Sequence, residues 1–141
     1  MTKFVIATHG YFAKGLKMST EFIMGKQKDL FAICAYTPEC KDFPQAVQTI
    51  INNSKDDIVF GTDIVGGSVN TDLQKIVAAS DRLHLVAGIN LPFLLQFLTS
   101  NEKNVSDAIN KSIEAAKEGI VNFDNLNDET STNALDDFDS F

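Results

Sequence analysis

Two side chains and one loop in this chain have the types and placement to do chemistry together. His9 ends a short apolar run, Phe4-Val5-Ile6-Ala7-Thr8, and precedes Gly10. A neutral imidazole is a competent nucleophile when one ring nitrogen carries the lone pair and the other is held as N–H. A carboxylate that accepts that N–H fixes the tautomer and stabilises the cation formed on attack. Asp63, just past a third apolar run, can serve His9 in that way. Gly66-Gly67-Ser68 then opens a helical pattern. There, free backbone N–H groups and the positive end of the dipole favour an anion. Two glycines let the backbone approach closely, and Ser68 can cap the helix or donate its hydroxyl. Together these residues describe a histidine that takes a phosphoryl group onto nitrogen and passes it on, a reaction that asks a protein mainly for positioning and charge stabilisation.

The surrounding elements must bring these residues to one place. Residues 4–7 read as a buried strand, and residues 11–24 as a helix stopped by Gly25. Residues 30–35 read as a second strand, followed by a helix over residues 43–53 with Asp42 as its cap and Pro44 in its first turn. A third strand over residues 57–61 leads into a helix from Val69 to about Ser80, and a fourth strand covers residues 83–87. Residues 91–98 form a helix apolar nearly all round, which requires cover from a neighbouring element or a second subunit. An amphipathic helix follows from Val105 to Ile120. Four strand–helix alternations imply an α/β fold, doubly wound, with a mainly parallel sheet and helices on both faces. In such sheets, sites form beyond the carboxyl ends of the strands. His9 follows strand one, Asp63 strand three and Asn90 strand four, so all three reach the same edge.

The 141 residues suit one domain, and 44% apolar residues suit a globular one. Residues 1–123 form that domain, and residues 124–141 form a polar tail. The tail carries six acids and no Lys or Arg, so of the net charge of −7 only −1 belongs to the body. A body with no basic face argues against a nucleic-acid partner. The chain runs straight into a strand without a signal peptide, and no apolar run approaches the ~18 residues that would cross a bilayer. A cytoplasmic chain with free thiols at Cys34 and Cys40 is expected. The two histidines and two cysteines offer no metal-ligand spacing, no phosphate-loop or dinucleotide fingerprint occurs, and no cofactor is expected. His84, inside strand four, is assigned to packing or a solvated sheet position. An Arg-His-Gly motif would mark the phosphoglycerate mutase-like phosphatases. Here Thr8 precedes His9, and Arg82 is the lone arginine, which excludes that reading.

Thr8-His9-Gly10, Asp63-Ile64-Val65-Gly66-Gly67-Ser68 and Ala87-Gly88-Ile89-Asn90-Leu91-Pro92, in this order and spacing, resemble the enzyme IIA domain of the mannose family of the bacterial phosphoenolpyruvate:sugar phosphotransferase system. The resemblance covers roughly residues 2–123. It implies that His9 accepts a phosphoryl group from the phosphocarrier HPr and hands it to a histidine of a IIB subunit, which phosphorylates the sugar during uptake through IIC and IID membrane subunits. Asp63 would match the aspartate that hydrogen-bonds the active histidine, and Gly66, Gly67 and Ser68 the loop near the phosphate. Family members are homodimers with a C-terminal strand exchanged between subunits; residues 120–123 and beyond are the candidates here. Val69 stands where the family often has proline. With the chain ending at Phe141, IIB is expected as a separate chain. A phosphorylation-dependent regulatory module and the related dihydroxyacetone kinase phosphodonor subunit are the alternatives; the intact Gly-Gly-Ser loop leans against the latter.

Overall fold

Strands and helices alternate along residues 2–125, the part of the chain that the computed structural model describes. Strand β1 (Lys3–His9) is flanked by β2 (Leu30–Ala35) and β3 (Ile58–Thr62), and β4 (Leu83–Ala87) lies beyond β3. All pairs are parallel, in the order β2-β1-β3-β4. The α/β class and parallel sheet expected from the sequence are therefore observed.

Alternation along β1 assigns its two faces. Val5 and Ala7 pack with Phe43, Val47 and Ile51 of α2 (Phe43–Asn52) and with Val69 and Leu73 of α3 (Ser68–Val77). Phe4 and Ile6 pack on the opposite face with Ala13 and Leu16 of α1 (Phe12–Met24) and with Phe93 and Leu94 of α4 (Leu91–Leu98). Helix α5 (Val105–Glu118) adds Val105, Ile109 and Ile113 to that second core. A strand buried on both faces needs apolar residues at every position, which explains the unbroken Phe-Val-Ile-Ala run.

Local signals act largely as expected. Gly25 ends α1 with φ of 85°, and the Asp42 side chain accepts the Gln45 amide at 3.2 Å to cap α2. Element ends shift by a few residues: β3 begins at Ile58, α3 begins at Ser68 and ends at Val77, and α5 ends at Glu118. The all-round apolar α4 finds its cover inside the chain. It lies between α1, α5 and the sheet, the Phe4 ring standing 5.9 Å from Phe93 and 5.2 Å from Phe97. None of its residues is exposed, so its composition requires no second subunit.

Two residues that could be mistaken for site groups are structural. The Arg82 guanidinium donates to the Asp56 carbonyl at 2.8 Å and the Ile51 carbonyl at 3.1 Å, tying the end of α2 to the turn before β3. His84 is half-buried, with Nε2 3.3 Å from Asp57 Oδ2, as its assignment to a sheet position anticipates. Residues 120–122 form no strand and lead into a single 3-10 turn, Phe123–Asn125. A strand at residues 120–123 is thus not observed; the rest of the tail lies outside the described residues.

Gly61, in the middle of β3, lets the Phe4 ring and Ile89 close over the strand. A Cβ there would stand 2.7 Å from Ile89 Cδ1 and 2.8 Å from the Phe4 ring. Gly61→Ala is expected to cost about 1–3 kcal/mol by overpacking. Thermal unfolding followed by circular dichroism should show a melting point lowered by several degrees; an unchanged value would mean that Phe4 is free to move.

Candidate functional site

The site forms at the carboxyl end of the sheet, on the central strand. Alternation places His9 on the α3 side and Thr8 on the α1 side. Thr8 is fully buried, and its Oγ1 accepts the Ala13 amide at 2.8 Å, satisfying a donor in the first turn of α1 that no capping side chain at Tyr11 serves. Gly10 turns the chain towards α1 with φ of 60°, while its amide donates to the Ala35 carbonyl at 3.0 Å. His9 is thereby held on both sides along the chain.

Asp63 holds it across the sheet. Parallel pairing sets Ala7 opposite Thr62, so the residue after β3 lies beside the end of β1. Asp63 Oδ2 accepts the His9 backbone amide at 3.1 Å and lies 2.9 Å from His9 Nδ1. Asp63 Oδ1 accepts the Ile64 amide at 3.1 Å. Burial opposes ionisation of this carboxyl, but the hydrogen bonds from the His9 ring and main chain outweigh it and hold Asp63 below the usual carboxylate range. An ionised carboxylate only accepts, so Nδ1 is the donor, and in the neutral ring this tautomer leaves the lone pair on Nε2. The His9 side chain is 38% exposed and that of Asp63 17%, so a large partner can reach the ring while its carboxylate is shielded.

The Gly66-Gly67-Ser68 loop closes on the ring from α3. A Cβ on Gly67 would lie 2.9 Å from His9 Cε1, the carbon between the two nitrogens. Gly66 has φ of 80°, a conformation that favours glycine. Gly67 is the N-cap of α3 and makes no side-chain capping bond. Ser68 is the first helical residue and does not cap; its Oγ instead lies 2.7 Å from the Tyr36 hydroxyl. The first amides of α3 are thus left for another acceptor beside the imidazole. Thr62 and Asn70 steady this turn from below, through a buried hydrogen bond of 3.0 Å.

The structure separates the residues expected at this edge. His9, Asp63, Gly67 and Ser68 come together. Asn90 reaches the edge, but its side chain is committed: Oδ1 accepts the Phe93 amide at 2.9 Å as the cap of α4, and Nδ2 donates to the Ala116 carbonyl at 3.1 Å. Tyr36 was not anticipated. Its ring centroid is 5.7 Å from that of His9, and it alone among non-glycine described residues has positive φ, at 63°. Its position directly after the second strand was the available signal. Around the site, Tyr11, Phe12, Tyr36, Ile64 and Val65 are exposed large apolar residues carried by the three loops at this edge and the first residue of α1. Among the described residues no group of three or more His, Cys, Asp or Glu could hold a metal, and Cys34 and Cys40 are free.

The family described as PTS system fructose IIA component matches residues 3–117. The chain is 30% identical over 107 residues to the PTS system fructose-specific EIIA component of Bacillus subtilis, covering 72% of each. It is 24% identical over 127 residues to the PTS system mannose-specific EIIAB component of Escherichia coli, covering 82% of this chain but 38% of that relative. The structure of phosphotransferase system component EIIA from Streptococcus agalactiae superposes with a TM-score of 0.78 at 28% identity, covering 88% of this chain and 98% of that one. The chain therefore belongs to the fructose/mannose enzyme IIA family of the sugar phosphotransferase system, whose members are phosphoryl carriers.

Proposed function

We propose that His9 is the phosphoryl acceptor of this carrier, taking the group from phospho-HPr on the cytosolic side and giving it to a histidine of a IIB subunit. The observation that carries the reading is the double hydrogen bond from His9 to Asp63 Oδ2, at 2.9 Å from Nδ1 and 3.1 Å from the backbone amide. In the first transfer the Nε2 lone pair forms the new bond to phosphorus. The bond from phosphorus to the donor's nitrogen breaks, and its electron pair returns to that nitrogen. No proton need leave His9: Nδ1–H stays on Asp63, whose charge offsets the positive charge developing on the ring. In this reading the first amides of α3, which no capping side chain serves, and the Ser68 hydroxyl would supply the donors that the phosphoryl oxygens need. The return step reverses these events towards IIB.

The exposed apolar ring of Tyr11, Phe12, Tyr36, Ile64 and Val65 supports protein donors and acceptors over a small substrate. A homodimer with an exchanged C-terminal strand belongs to the same proposal: among the described residues β4 pairs on one side only, leaving an edge on which a further strand can add. The phosphorylation-dependent regulatory role would use the same surface and the same histidine.

Four outcomes test this reading. His9→Gln should take up no phosphoryl group from phosphoenolpyruvate, enzyme I and HPr, measured by intact mass; persistent labelling would remove His9 from the role. Asp63→Asn should slow transfer roughly 10²–10⁴-fold, the scale of a lost acid–base or orienting partner; an unchanged rate in rapid quench would reduce Asp63 to a turn residue. Gly67→Ala should displace the ring by crowding Cε1 and slow transfer by on the order of 10²-fold with little loss of stability. Asp63 has a folded pKa below its unfolded one, so its stabilisation is complete above the ordinary carboxylate value and is lost as pH falls through the depressed one. The stability gap between wild type and Asp63→Asn, read by denaturant titration, should be constant near neutrality and shrink below about pH 4. A gap that persists at pH 2 would show that ionisation of Asp63 contributes nothing.

A further inference from the structure

Tyr36 adopts a backbone conformation that a turn would fill more easily with glycine or asparagine. Its φ of 63° lies in the left-handed region, where L side chains are disfavoured and Asn is several-fold enriched. The residue is 59% exposed, so burial contributes little to keeping an aromatic residue there. The neighbouring loop nonetheless holds the conformation firmly. Buried Thr37 donates from Oγ1 to the Cys34 carbonyl at 2.6 Å, and the Cys40 amide donates to the Thr37 carbonyl at 3.0 Å. Tyr11 donates to Glu39 Oε2 at 2.7 Å, bracing the same loop against the start of α1. Backbone strain that is enforced from several sides tends to mark a functional constraint.

Sheet order shows what the strain achieves. Tyr36 follows β2, Ser68 follows β3 at the start of α3, and β1, with His9 at its end, runs between those two strands. The 2.7 Å contact between Tyr36 Oη and Ser68 Oγ therefore arches from one loop to the other across the strand that presents His9. The Tyr36 ring stands 5.7 Å from the imidazole, centroid to centroid. A phenol is a stronger acid than an aliphatic alcohol, so the pair is best satisfied with Tyr36 donating and Ser68 Oγ accepting. Ser68 then retains its own hydrogen for a second partner.

We propose that Tyr36 is a positioning residue for phosphoryl transfer: its hydroxyl donates to Ser68 Oγ, fixing the serine so that its remaining hydrogen donates to a phosphoryl oxygen on His9. The proposal rests on His9 being the acceptor. Tyr36 is assigned no role at the reacting nitrogen or at phosphorus and acts through Ser68. No bond beyond those of the transfer itself is made or broken.

The test uses the full chain, phospho-HPr as donor, rapid-quench transfer rates and the ³¹P resonance of the phosphohistidine. Tyr36→Phe keeps the ring and removes the donor. It should slow transfer roughly three- to tenfold, the loss expected of one hydrogen bond, and move the ³¹P resonance while the melting point holds. Tyr36→Asn should match or exceed the wild-type melting point, because it relieves the strain, yet transfer no faster than Tyr36→Phe. Adding Tyr36→Phe to Ser68→Ala should cost nothing further. Wild-type rate and resonance in Tyr36→Phe, a lowered melting point with an unchanged rate, or losses that multiply in the double variant would each overturn the proposal. Phosphorylation of His9→Gln would overturn the underlying reading instead, whereas a Tyr36→Phe result at wild-type level with His9 still required would remove Tyr36 alone.

Discussion

One carboxylate oxygen receives both the backbone amide and the ring of the same residue, and the geometry at the mouth of the sheet depends on that. Asp63 Oδ2 binds the His9 amide and Nδ1 together, so the imidazole is fixed relative to its own main chain as well as to β3. A bond to the ring alone would leave the strand end free to swing. A bond to the amide alone would leave χ2 free to rotate. With both present, strand end and ring are fixed together, and Gly67 closes against the ring from α3, where an added Cβ would stand 2.9 Å from His9 Cε1. Burial works against the charge on Asp63 and the His9 hydrogen bonds overcome it, so fold and site exchange support at this one atom.

Reading the sequence recovered the parts of this arrangement that follow from period and strand ends. The apolar run in β1, the Asp42 cap and the Gly25 stop each carry their cause within a few residues. The convergence of His9 and Asp63 was legible because strands one and three both end in polar residues and parallel sheets gather such ends. Side-chain allocation was less legible. Asn90 has the type and position of a site residue, but its amide satisfies one helix start and one distant carbonyl in α5, 26 residues on. Ser68 reads as a cap or as a hydroxyl donor; Gly67 holds the cap position and the serine hydroxyl meets Tyr36. Tyr36 itself was missed because a left-handed backbone leaves no trace in a sequence when the residue there is neither Gly nor Asn. Cover for the apolar α4 depended on where α5 folds back, which periodicity does not specify.

The chemical types of the groups around His9 bear on what a carrier must do. A carrier must receive a phosphoryl group and release it again, so binding cannot be much tighter than exchange allows. The chain's one arginine is committed to carbonyls at the far side of the sheet. What stands beside His9 is a helix start, a hydroxyl and a single carboxylate. In the proposed mechanism such neutral donors would stabilise the transferring group without the deep well that a guanidinium clamp would create. In the proposed mechanism the remaining charge compensation would come from each partner in turn, docked on the exposed apolar rim. His9 is held from below and open above, which would suit the proposed nucleophile as it aligns with two different proteins.

The central claim is that Asp63 holds Nδ1–H and leaves Nε2 to carry the phosphoryl group. Long-range ¹H–¹⁵N correlation of the phosphorylated chain, with histidine labelled at both ring nitrogens, reads the linkage directly. The account predicts a phosphorus–Nε2 bond with Nδ1 still protonated and hydrogen-bonded to Asp63; a phosphoryl group found on Nδ1 would contradict it.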